Sequence, residues 1–154
     1  MARVIIIDDD KIWLNDTMEL INELFDSEIE YFYDFSLAED RIIKSPNDFD
    51  LLITDIYIDK TKGELEVDKR RDDFGLSITK LLNRINNIPI IIVTAEDDEE
   101  KIRLILKNYK LSAIYKKFGF KKSDFIISVS EVLPFKNKKG KKEEREDNDS
   151  TIWS

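Results

Sequence analysis

The sequence contains neither cysteine nor histidine. Without cysteine it can form no disulfide and no thiolate metal site, and it suits a reducing compartment such as the cytoplasm. Without histidine it has no imidazole for acid–base catalysis or metal binding, and it cannot itself carry a phosphohistidine. No apolar run approaches the roughly 18 residues of a membrane span. No positively charged start leads into a long apolar stretch, so no secretory signal is expected. A strongly basic body is missing too. The net charge is −8, and the six basic and five acidic residues from Lys136 onward leave −9 on the residues before it. Phosphate neutralisation needs clustered Lys and Arg, so nucleic acid is disfavoured as a direct ligand.

What remains is a chain of 154 residues, 42% apolar and 38% charged, long enough for one soluble domain with a full core. Arg3 to Ile7 is a nearly continuous apolar run, the pattern of a strand covered on both faces. It ends in Asp8-Asp9-Asp10. Leu14, Met18, Ile21, Leu24 and Phe25 then recur at helical spacing. Glu28 to Tyr33 alternates like an edge strand, and Ser36-Leu37-Ala38-Glu39 has the form of a capping box, predicting a short helix that ends before Pro46. Leu51-Leu52-Ile53-Thr54 delivers Asp55 to the end of a buried strand. A polar stretch, Asp59 to Asp72, precedes a helix from about Phe74 to Arg84. Ile90 to Val93 forms another apolar strand, ending in Thr94-Ala95. A helix over Asp97 to Asn108 offers Ile102, Leu104, Ile105 and Tyr109 to the core. Ser112 to Lys117 is strand-like, and Ser123 is placed to cap a last helix carrying Phe125, Ile126, Val129, Val132 and Leu133, stopped by Pro134.

Five strands alternating with five helices predict an α/β fold, a doubly wound parallel sheet covered on both faces. In such sheets ligands bind at the carboxyl ends of the strands. Asp8 and Asp9 end the first strand, Asp55 the third, Thr94 the fourth, and Lys116 or Lys117 the fifth. Acids, a hydroxyl and an ammonium thus converge on one crevice. Asp10 reads instead as a helix N-terminal acid, favoured by the helix dipole.

An acidic pair, a lone Asp, a Thr and a Lys, each ending a strand in that order, resemble the receiver domain of two-component response regulators. The likeness runs through Val4–Asp10, Leu51–Asp55, Pro89–Ala95 and Ile114–Lys117 and covers residues 2–134. It implies the flavodoxin-like (CheY-like) sheet order 2-1-3-4-5. It also implies that Asp55 accepts a phosphoryl group from a histidine kinase or histidine phosphotransfer protein. Mg²⁺ would be held by Asp9, Asp55 and the main-chain carbonyl of Tyr57, with Asp8 acting largely through water. Oxygen-only ligands suit that ion. Thr94 and a lysine would meet the phosphoryl oxygens, and output would pass to a protein target through the last two helices and fifth strand. The short loop before Phe125 favours Lys117, while the spacing from Thr94 suits Lys116 as well.

The chain departs from the receiver pattern in three places. Phe118 stands where Pro usually follows the lysine. Ile114 stands where an aromatic residue is usual, with Tyr115 one position off and facing the other way by strand alternation. The segment 59–72 reads as an insertion with a hairpin turn around Lys62-Gly63, and residues 135–154 read as a charged, disordered tail closing on a lone Trp153. Two other readings compete. One is a phosphatase of the haloacid-dehalogenase type, using Asp8 as nucleophile and Asp10 as acid–base. The other is a receiver-like binding module that is never phosphorylated.

Overall fold

The computed structural model describes residues 1–61 and 71–137. In chain order the elements begin with β1 (Ala2–Ile7), α1 (Lys11–Leu24), β2 (Ser27–Phe32), α2 (Phe35–Lys44), β3 (Leu51–Thr54) and β4 (Ile58–Asp59). They continue with β5 (Arg71–Asp72), α3 (Phe74–Ile85), β6 (Ile90–Thr94), α4 (Glu99–Asn108), β7 (Ala113–Lys116) and α5 (Lys122–Ser130). The main sheet runs β2-β1-β3-β6-β7 with every neighbouring pair parallel. Counted over these five strands, that is the expected order 2-1-3-4-5.

The strands β1, β3 and β6 lie inside the sheet because their side chains are apolar in both directions. Along β1, Val4 and Ile6 pack with Leu14, Ile21, Phe125 and Val129, the buried faces of α1 and α5. Ile5 and Ile7 point the other way, among Ala38, Ile42, Leu82 and Ile105 from α2, α3 and α4. This period-two division gives the molecule two cores, one on each side of the sheet. The edge position of β2 also follows from its sequence, since it is rich in charge and aromatic side chains tolerant of solvent. Glu30 on β2 receives Arg41 of α2 through two hydrogen bonds, at 2.6 and 3.1 Å.

Several local expectations require correction. The Ser-x-x-Glu sequence at Ser36 does not cap α2. The cap is Asp34, a buried carboxylate whose Oδ1 accepts the Leu37 N–H at 2.8 Å, while the Ser36 N–H donates to the Lys60 carbonyl at 3.0 Å. Buried acids need donors, and a helix start supplies them. Ser123 lies inside α5, whose first turn follows Lys121 with no side-chain cap. Leu104 faces solvent, so α4 contributes Ile102 and Ile105 to the core without it. Thr17 was not anticipated as buried. Its hydroxyl donates to the Trp13 carbonyl at 2.9 Å, which makes it acceptable there. Asp10 caps α1 as expected, its Oδ1 accepting the N–H groups of Ile12 and Trp13, each at 3.1 Å.

After Asp55 the chain forms a short antiparallel ladder, Ile58 opposite Asp72 and Asp59 opposite Arg71. The expected turn at Lys62-Gly63 lies outside the described residues. At the other end, Phe135 stacks on Phe25 with ring centroids 4.8 Å apart, and the Lys136 N–H donates to the Leu24 carbonyl at 2.9 Å. The tail beyond Asn137 lies outside the described residues.

Gly75, in the first turn of α3, lets the helix touch the end of β3. Its N–H donates to the Ile56 carbonyl at 2.9 Å, and a Cβ there would come within 1.8 Å of the Asp55 carbonyl oxygen. Backbone cannot yield as a flexible side chain would. Gly75→Ala is therefore expected to cost about 2 kcal/mol or more of stability and to shift the amide resonances of residues 55–57. An unchanged denaturation midpoint would show that this contact is not tight.

Candidate functional site

Three residues of the strand-end crevice are held by hydrogen bonds that extend the sheet past its last paired residues. The Asp8 N–H donates to the Phe32 carbonyl and the Asp55 N–H to the Ile7 carbonyl, both at 3.1 Å. The Lys117 N–H donates to the Thr94 carbonyl at 2.7 Å. The backbone thus carries the two acids and the lysine to fixed positions before any side chain is considered.

The side chains then meet. Lys117 Nζ lies 2.8 Å from Asp8 Oδ2 and 3.1 Å from Asp55 Oδ2. The remaining oxygens accept backbone donors, Asp8 Oδ1 from the Asp10 N–H at 2.9 Å and Asp55 Oδ1 from the Ile56 N–H at 2.6 Å. Asp8 and Asp55 are only 3% and 1% exposed. Trp13 of α1 forms the wall behind the ammonium, its ring centroid 5.3 Å from Lys117 Nζ.

Two buried carboxylates share one ammonium, and the charge is out of balance. Burial, followed by the Asp55 charge, pushes the Asp8 pKa up from 3.8 to about 6, although Lys117 pulls it back. Burial works against the charged form of Lys117, but Asp55 and Asp8 together outweigh it and hold its pKa above the ordinary value. Carboxylate oxygens deficient in positive charge are a donor set that fits a small hard cation. Among the described residues, however, no group of three acids is set up to hold a metal. Asp9 Oδ2 accepts the Asp59 N–H at 2.9 Å.

Thr94 is fully buried at the end of β6, and its Oγ1 accepts the Glu96 N–H at 3.1 Å, a bond that does not use its own proton. Lys116 does not join the acids; it pairs with Glu99 on α4. The two lysines lie on opposite sides of their strand, and Lys117 is the one that reaches the crevice. Ile114 packs on the α2–α4 side of the sheet and Tyr115 on the α1–α5 side, as alternation requires. Phe118 is 89% exposed, and Gly119 takes φ 72°, which only glycine adopts freely.

One cluster was not read from the sequence. The Tyr57 phenol donates to Glu96 Oε1 at 2.6 Å, and Lys101 Nζ lies 3.3 Å from the same oxygen. Burial and the Glu96 hydrogen bond raise the phenol pKa, while the Tyr57 hydrogen bond lowers that of Glu96. This cluster ties the segment after Asp55 to the segment after Thr94. No spacing motif announces it, since its members come from two loops and a helix.

No protein-family model and no curated protein matches the sequence. Solved structures do match. RcsB from Salmonella enterica serovar Typhimurium, bound to promoter rprA in the presence of phosphomimetic BeF3-, is 21% identical with a TM-score of 0.66, over 84% of this chain and 66% of that one. The CheY-like receiver domain protein of Methanospirillum hungatei is 20% identical with a TM-score of 0.62, over 85% and 92%. A receiver domain protein from Clostridium thermocellum is 20% identical with a TM-score of 0.63, over 85% and 93%. The chain spans 59% of another RcsB chain, so it corresponds to part of that regulator. Likeness at this identity concerns architecture. The chain has the fold of response-regulator receiver domains.

The Asp8 shift has a stability consequence. With no metal present, between about pH 4 and about pH 6 the folded chain keeps a proton on Asp8 that the unfolded chain has released. The group therefore destabilises the fold progressively as pH rises through that window. Asp8→Asn removes this contribution. In chelator, the stability of the variant relative to the parent should improve by up to about 3 kcal/mol from about pH 4 to about pH 7. Denaturant titrations across that range check it, and a pH-independent difference contradicts the assignment.

Proposed function

We propose that this chain is a phosphoryl-accepting receiver that uses Asp55 as its nucleophile. The observation that carries the reading is the Lys117 ammonium bridging buried Asp8 and Asp55. The phosphoryl donor is a phosphohistidine on a histidine kinase or histidine phosphotransfer protein. An oxygen of Asp55 attacks phosphorus, and the phosphorus–nitrogen bond breaks with its electron pair leaving on the imidazole. The product is an aspartyl phosphate. Hydrolysis later breaks the phosphorus–oxygen bond and returns the carboxylate. Apart from this self-directed chemistry the chain turns over no substrate.

Phosphoryl transfer depends on positioning and on neutralising charge as it spreads over the phosphoryl oxygens. The backbone hydrogen bond from Asp55 to Ile7 fixes the nucleophile, and Gly75 limits its movement from the other side. Lys117 supplies one positive charge, and the Thr94 hydroxyl has a proton to donate. Asp8, Asp9, Asp55 and the Tyr57 main-chain carbonyl would hold Mg²⁺. When bound, that ion would supply the two positive charges that three carboxylates lack beside one lysine. Ala95 is small enough to leave the approach open. Output passes by protein–protein contact through α4, β7 and α5. Ile114 is smaller than the aromatic residue usual in receivers, so the surface change is correspondingly modest.

Intact-mass analysis tests the reading. Incubation with phosphoramidate or acetyl phosphate and Mg²⁺ should add one phosphoryl group, and chelation should prevent it. Asp55→Asn should fold and stay unmodified. Thr94→Ala should accept the group and show a smaller change in amide hydrogen exchange at residues 95–123 with beryllofluoride. Complete failure of the parent to be modified would favour the receiver-like binding module.

A further inference from the structure

A groove of about 340 Å³ runs between α1 and α5, and the phosphoryl chemistry proposed above does not use it. Trp13, Leu20 and Phe120 are the part-exposed apolar residues along it, above buried Thr17 and Phe125. Trp13 and Phe120 meet edge to face with ring centroids 5.1 Å apart. One side is acidic. Asp16, Glu19 and Glu23 all line the groove and are exposed, and their spacing puts them in a row along α1. Lys122 is the basic residue among its lining. A surface with an apolar floor and an acidic rim calls for an occupant with basic groups and a large apolar side chain.

The chain itself delivers such a segment to the groove. Phe135 on Phe25 and the Lys136 N–H on the Leu24 carbonyl bring the chain to the C-terminal end of α1, immediately beyond Glu23. From there the sequence reads Lys136-Asn137-Lys138-Lys139-Gly140-Lys141-Lys142, five lysines in seven residues. The row from Asp16 to Glu23 is about 10 Å long. Residues 138–142, extended, reach about 17 Å, enough to lie along all three acids. The eleven residues after Lys142, through Trp153, reach at most about 36 Å, against about 21 Å for the whole of α1. Ile152-Trp153 can therefore arrive at the apolar floor. Tethering makes the encounter intramolecular, with a local concentration on the order of millimolar, so a weak interaction suffices.

We propose that the lysine block at 138–142 docks back on Asp16, Glu19 and Glu23 of the α1–α5 groove, with Trp153 against Trp13, Leu20 and Phe120. The docked stretch then lies on this face of the domain. It also meets the ring that backs Lys117, since Trp13 lies under that ammonium. The proposal stands apart from the phosphorylation reading, because none of its contacts requires Asp55 to be modified.

The absence of cysteine makes a direct test simple. Ser150→Cys in the full chain provides one thiol for a nitroxide spin label, whose paramagnetism broadens nearby amide resonances. Docking predicts intensity loss at Trp13, Thr17, Leu20 and residues 120–125, with α3 spared. The intensity should return in the same chain carrying Asp16→Lys, Glu19→Lys and Glu23→Lys, three exposed positions whose spectrum also reports that the domain remains folded. It should also return at high salt, which screens exposed charges. Uniform broadening, or broadening centred on α3 and α4, would overturn the proposal. So would equal broadening when the spin label and the isotope label are on separate molecules, because the occupant would then be a second copy.

Discussion

A single ammonium, Lys117 Nζ, stands between two carboxylates that would otherwise face each other in a buried space. The sheet order makes this contact possible. β1 and β3 are neighbours, so Asp8 and Asp55 leave adjacent strands, while β6 separates β3 from β7. A residue at the end of β7 must therefore reach across two strand spacings, about 10 Å, to meet Asp55. A lysine rooted one residue past the strand and aimed inward by its N–H bond to Thr94 has the length to do so. The contact joins residues 62 apart in sequence, so it requires β3, β6 and β7 to be assembled. Breaking it leaves buried charge without a partner, which is the costly way to lose such an interaction.

The loops around this contact are tied to one another. Asp9 accepts a hydrogen bond from Asp59, and Ser36 donates to Lys60, so the first residues of the insertion are fastened to the segments after β1 and β2. Tyr57, Glu96 and Lys101 tie the segment after β3 to the segment after β6. In the proposed function, Asp9 would serve both the cation and the base of the insertion. Changes at the cation site would then bear on the β4–β5 ladder as well. Glu96 has a comparable double role, since its backbone meets the Thr94 hydroxyl and its side chain meets Tyr57.

Much of this was legible in the sequence because the governing patterns are local. Apolar runs at Val4–Ile7, Leu51–Ile53 and Ile90–Val93 announce strands buried on both faces, and helical spacing supplies α1, α3 and α4. The acids at positions 8 and 55 could be read as strand-end groups for the same reason. What the sequence left open depended on side-chain direction. Lys116 and Lys117 differ by one residue, hence by a side of the strand, and only the folded chain pairs one with Glu99 and the other with the acids. The cap of α2 was misplaced because Asp34 and Ser36 are both good cap residues, and burial chooses the acid. Leu104 has the right spacing for a core position but falls at the edge of the helix stripe. The Tyr57–Glu96–Lys101 cluster carries no periodic signal, being assembled from separate loops and a helix.

Ile114 within β7 and Phe118 after Lys117 depart from the receiver pattern. The account therefore stands on Asp55. Sodium borohydride reduces an aspartyl phosphate to homoserine, leaving a permanent mark where the phosphoryl group was. The chain, treated with phosphoramidate and Mg²⁺ and then reduced, can be digested and its peptides sequenced by mass spectrometry. The account predicts homoserine at position 55 and nowhere else. Homoserine at position 8, with aspartate intact at 55, would contradict it and assign the nucleophile to the first strand.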